Sequence, residues 1–100
     1  MSGQSLPSAA ARVALASPRR YLAQLCKHFA HRLPVTLTED DGRIDFQGGI
    51  CRLTAETSIL VLHLTADDET ALEKLEDVVA RHLARFAFRD PPAIAWTRSP

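Results

Sequence analysis

Two cysteines in 100 residues, Cys26 and Cys51, are too few for the disulfide framework on which small secreted domains depend. A reduced, cytoplasmic setting is the expectation. No apolar run approaches the roughly 18 residues that a membrane-spanning helix needs. The first seventeen residues lack the continuous apolar stretch of a secretory signal. Their Ser/Ala-rich, acid-free composition is similar to that of a transit peptide, yet they run directly into a patterned domain. Residues 1–9 therefore read as a flexible segment and residues 10–98 as one domain. Net charge is also absent, with twelve Lys and Arg against twelve Asp and Glu. That balance argues against a nucleic-acid binder held by phosphate contacts. No GxSxG, GxGxxG, P-loop or HExxH pattern occurs, so no nucleophile, phosphate cradle or metalloprotease helix is nominated. No cofactor is expected, and the balance leans away from an enzyme.

What the chain does have is patterning. Hydrophobic residues make up 46%, enough for one modest core. Ser17-Pro18 is a helix start, and Leu22, Leu25, Phe29 and Leu33 recur at helical spacing up to about Arg32. A second amphipathic helix begins at Asp67 or Asp68, with Leu72, Leu75, Val79, Leu83 and Phe86 as its stripe. Its acids lead and its arginines follow, which complements the macrodipole. Alternation predicts strands over 10–15, 35–38, 43–47, 50–55, 59–64 and 93–97, the last with Ile94 and Trp96 inward. Glu39-Asp40-Asp41-Gly42 reads as a turn, with Asp-Gly its hairpin signal, and Gly48-Gly49 turns the chain again. The order β-α-β-β-β-β-α-β predicts an α+β domain: an antiparallel sheet with both helices on one face.

Charge is segregated along this order. Residues 1–38 carry five bases and no acid, while residues 39–77 carry eleven acids and three bases. The two blocks either compensate each other inside the fold or leave a cationic patch for an anionic small molecule or an acidic protein partner.

The segments RYLAQLCKHFAHRLPV (20–35), GRIDF (42–46) and LEDVVARHLARFAFRD (75–90), together with Trp96, resemble the bacterial domain-of-unknown-function family 2218. The resemblance runs from about Ala10 to near the end of the chain. It implies little chemistry, but it does imply an association with iron–siderophore uptake, including fusion to siderophore-interacting reductase-like proteins. The element order is also similar to that of TATA-binding-protein-like folds, and order alone does not carry function.

Candidate ligand-binding residues come from two places. Arg19 and Arg20 occupy the first turn of helix one, where the macrodipole disfavours cations. They read first as surface salt bridges to Asp40, Asp41 or the acids of helix two, and otherwise as two guanidinium forks that suit a carboxylate, phosphate or catecholate. Tyr21, Gln24, Lys27, His28 and His31 continue along the polar face of the same helix. His28 and His31 lie about 60° apart on the helical wheel, away from the apolar stripe, and read first as solvated. With His82 they form the alternative of a small metal-binding protein or enzyme, though Cys26 falls about 140–160° away from both and cannot join them. His82 itself sits on the stripe of helix two and reads as a partly buried histidine with one bonded nitrogen. The outward sheet face, with Thr36, Thr38, Arg43, Asp45, Gln47, Arg52, Thr54 and His63, offers a third reading, a homodimer contact.

Overall fold

The computed structural model of the chain describes residues 6–99. In chain order the elements are β1 (Ser8–Ala14), α1 (Pro18–Phe29), β2 (Val35–Leu37), β3 (Asp41–Phe46), β4 (Gly49–Ala55), β5 (Ile59–Ala66), α2 (Glu69–Phe86) and β6 (Thr97–Arg98). The six strands form one antiparallel sheet in the order β2-β3-β4-β5-β1-β6. The meander of four strands and the α+β order are those the alternation predicts. β1 then returns to the far side of β5 and pairs with it along its whole length.

Register sorts the side chains by face. Val35, Ile44, Cys51, Leu64 and Ala9 fall in one inward row across five strands, and Leu37, Gly42, Leu53, Leu62 and Ala11 in the next. Apart from Val35, Leu37 and Gly42 near the β2 edge, these residues are buried. Both helices lie on this side. Leu22 and Cys26 of α1 close over Gly42, and Leu75 of α2 closes over Gly49. One core results, formed by the inward rows and the stripes of α1 and α2. Among the described residues no buried one is polar or charged, so apolar burial is the source of the core's stability.

Several boundaries differ from the periodicity, each for a local reason. β1 starts at Ser8, two residues before the expected 1–9 boundary, because Ser8 and Ala9 pair with Thr65 and Leu64. The first five residues of that expected segment lie outside the described residues. α1 stops at Phe29 rather than Arg32: the amides of Arg32 and Leu33 both fold back onto the Phe29 carbonyl, ahead of Pro34. The β2–β3 turn lies at Thr38–Asp41, one residue before the expected Glu39–Gly42, with the Thr38 amide donating to the Asp41 carbonyl. Gly42 stands inside β3, where an added Cβ would come 2.5 Å from Cys26 Sγ. It is a spacing residue, and the hairpin reading of Asp-Gly is corrected on that ground. Residues 93–96 do not form the expected strand. Only Thr97 and Arg98 reach the edge of β1, while Ile94 and Trp96 pack against the core without a ladder. α2 begins as expected, with the Asp68 carboxylate accepting from the Ala71 amide.

Candidate functional site

The charge segregation resolves mainly into internal pairs. Arg12 meets Glu56 at 2.7 Å, and Arg19 meets Asp40 at 2.6 Å and Glu39 at 3.1 Å. The hydrogen bond to Asp40, then the charges of Asp40 and Glu39, hold the Arg19 guanidinium above its usual range. Arg98, on the inward side of the β6 edge, reaches α2 and binds Glu76 at 2.7 Å and Glu69 at 3.5 Å. The concavity beside the α1 N-terminus is lined by Ser17, Pro18, Arg19, Asp40 and Glu56, so two carboxylates face the cation there. Arg19 is thus compensated and offers no free charge to an anion. Arg20, on the same turn, is exposed and has no carboxylate partner among the described residues. Tyr21 lines a separate hollow with Leu15, Ser58 and Asp90.

The other end of α1 is different. There Lys27, His28, His31 and Arg32 are exposed, and none of them pairs with a carboxylate among the described residues. A helix C-terminus favours cations, which accounts for their sign. It does not account for the rings around them. His28 lies 4.9 Å from His82 across the α1–α2 contact, 4.9 Å edge-on to Phe29 and 5.7 Å from Phe86. Phe29 in turn meets His82 at 4.9 Å and Phe46 of β3 at 5.0 Å. His28 is therefore not simply solvated. It keeps an exposed edge while its ring joins an aromatic cluster contributed by both helices and the sheet.

Beside this cluster opens a cleft of about 660 Å³, lined by His28, Phe29, His31, Arg32, Leu33, Phe46 and Val78. Its walls are rings and branched aliphatics, its polar groups two imidazoles and one guanidinium, and no acid lines it. The cleft lies at the C-terminal end of α1, where Phe29, the last helical residue, and Leu33 beyond it are half-buried and join Phe46 and Val78 as its apolar walls. His82 borders the cluster with its Nδ1 2.7 Å from the Val78 carbonyl oxygen. A carbonyl only accepts, so Nδ1 carries a proton, and in the neutral ring Nε2 holds the lone pair. Burial, first, and then the neighbouring His82, His31 and Arg85 hold His28 below its usual range.

Of the residues singled out from the sequence, His28, His31 and His82 come together here. Lys27 stays on the outer ridge, and Gln24 turns its amide inward, where Oε1 finds no partner among the described residues. Arg32, Phe29, Leu33, Phe46 and Val78 were not among the candidates, the apolar ones because their spacing signals core. The available cue was the position of Phe29 and Leu33 at the end of a stripe that Pro34 must interrupt. Among the described residues no group of three His, Cys, Asp or Glu is placed to hold a metal ion. Cys26 and Cys51 are both free and buried; burial pushes the Cys26 thiol up to about 11 and raises that of Cys51 as well, away from thiolate chemistry at neutral pH.

On the opposite sheet face Arg43, Arg52 and His63 stand directly across from one another on β3, β4 and β5. Asp45 holds Arg43 at 2.8 Å, and the Thr54 hydroxyl donates to Asp41, giving a mixed polar surface. No described helix is long and apolar enough to cross a membrane.

The family model described as "Uncharacterized protein conserved in bacteria (DUF2218)" matches residues 10–97, a span that includes every residue of the cleft. Among solved structures the chain is similar to PA4090 from Pseudomonas aeruginosa, determined by NMR. The two are 37% identical, with a TM-score of 0.77 over 92% of this chain and 95% of that one. No curated protein matches the chain.

Proposed function

We propose that this chain, which belongs to the DUF2218 family of proteins conserved in bacteria, is a noncatalytic binding module that holds a small aromatic anion in the cleft between α1, β3 and α2. One observation carries the reading: the cleft joins apolar ring walls to three cationic or protonatable side chains and excludes carboxylates from its lining. A planar ligand stacks on Phe29 and Phe46, and its charged end meets Arg32, whose fork suits a carboxylate or catecholate. Catecholates are the anions of siderophore chemistry, so a place for the module in iron–siderophore metabolism is part of the proposal.

Titration with benzoate and protocatechuate tests it. Both bind the wild-type protein, and Arg32→Ala weakens them by about tenfold, the share expected of one charge-assisted contact at a partly open site. An Arg19→Ala/Arg20→Ala variant binds as wild type does, because that turn lies roughly 12 Å from His28 along α1. Equal affinity in the Arg32 variant, or loss in the Arg19/Arg20 variant, removes the cleft as the site.

A further inference from the structure

We infer that the cleft takes up its anion together with one proton, which the His28–His82 pair accepts. The inference rests on the cleft being the ligand site, and it adds how occupancy is regulated. Its basis is the placement of the two imidazoles. Their rings lie 4.9 Å apart on different helices, between Phe29 and Phe86, at the border of a cleft that no acid lines.

Among the described residues, the charged or titratable groups that line the cleft or act on His28 are all basic. α1 and the turn after it contribute His31 and Arg32, and α2 contributes Arg85. β3 contributes only Phe46; its Asp45 points to the other face of the sheet and is held by Arg43. Asp77, the acid of α2 nearest in sequence to Val78, is held by Arg81 at 2.8 Å. The free protein thus offers an imidazolium here no compensating charge. His28 below its usual range agrees with that arrangement.

Binding reverses the balance. An anion in the cleft supplies the missing charge and favours the protonated ring. His82 can accept only at Nε2, since its Nδ1 is committed to the Val78 carbonyl, and that commitment survives protonation. His28 makes no hydrogen bond among the described residues and can accept at its free ring nitrogen. A second proton is opposed by the first one 4.9 Å away, so the pair titrates as a unit and takes up one proton, not two.

The sign follows from linkage. The complex holds the proton more tightly than the free protein, so affinity is highest below the pair's titration range in the free protein. It is lost as pH rises through the range in the complex. One proton per ligand limits the slope to about tenfold per pH unit.

The experiment measures benzoate affinity at about pH 7.5 and about pH 5.5, where benzoate is ionised at both, with benzamide as the uncharged counterpart. Benzoate binds at least about threefold tighter at the lower pH, and benzamide shows no such change. NMR of the imidazole rings reads the proton itself. Benzoate moves the titrations of His28 and His82 to higher pH and leaves that of His63, on the opposite sheet face, where it was. His28→Gln, at an exposed position that tolerates the change, removes most of the pH dependence. Benzoate binding that is independent of pH, histidine titrations that do not move, or an unchanged pH profile in His28→Gln overturns the proton linkage and leaves the cleft as a ligand site. Absence of benzoate binding at both pH values overturns both.

Discussion

Leu62→Ala lowers the unfolding free energy by about 3–4 kcal/mol, the range for truncating a fully enclosed leucine. Leu62 lies at the middle of β5, between Leu53 of β4 and Ala11 of β1, and is 0% exposed. Its inward row faces both helices, so neither a strand nor a helix can close the gap without moving against the other. The neighbour Ala11 is already small and cannot be exchanged for a closer contact. For a domain of this size the loss amounts to roughly 12–32 °C in Tm, a large share of a stability of about 5–15 kcal/mol. Urea unfolding with an unchanged m-value checks it. A cost under about 1 kcal/mol would mean that the site collapses freely, which a close-packed two-layer core does not allow.

The second large effect belongs to a residue with no side chain. Gly49 opens β4 opposite Ala66, and a Cβ there would come 2.5 Å from Leu75 Cδ1 and 2.5 Å from the Thr65 carbonyl oxygen. Leu75 can turn aside. The β5 backbone cannot withdraw without loosening the Gly49–Ala66 and Ile50–Thr65 pairings. Gly49→Ala therefore costs about 3 kcal/mol through overpacking against main chain. Its backbone has no left-handed φ, in contrast to Gly48 at φ 87°, so the expected loss is steric. Because Phe46 lies opposite Gly49 on β3, the same change displaces one wall of the cleft. A variant as stable as wild type would show that β5 shifts without penalty and that the sheet is softer than its continuous pairing implies.

These two positions also show which parts of the fold were legible in the sequence. The helical stripes and the strand alternation were readable because one-sided burial imposes a period on each element separately. Leu62 follows from that pattern. The glycines do not. Asp41-Gly42 carries the composition of a tight turn, yet Gly42 serves the approach of Leu22 and Cys26, and a sequence window cannot report what packs above it. The alternation of Ile94 and Trp96 has a related cause: both residues bury their side chains from an extended segment whose backbone finds no neighbouring strand.

The candidate site was legible by halves. His82 as a partly buried ring with one bonded nitrogen followed from its place on the α2 stripe, and its Nδ1 contact with Val78 has that form. His28 looked solvated because a wheel drawn for α1 contains nothing of α2, and the rings that flank it come largely from there. For Arg19 the sequence left two readings, an ion pair with Asp40, Asp41 or the acids of α2 and an anion site. The fold makes the pair with Asp40 and adds Glu39 from beyond β2. At the α1 N-terminus Arg19 is paired and Asp40 and Glu56 share its concavity, whereas no acid lines the cleft at the other end. The proposal sets the ligand near Arg32 for that reason.

The most direct test is to map backbone amide shifts while benzoate is added to the isotope-labelled protein. The account predicts saturable changes confined to residues 28–33, Phe46 and the amides around Val78, with Ser17–Arg19, Asp40 and Glu56 unaffected. Changes centred on the α1 N-terminus or on Arg43, Arg52 and His63, or no saturable change anywhere, would contradict it.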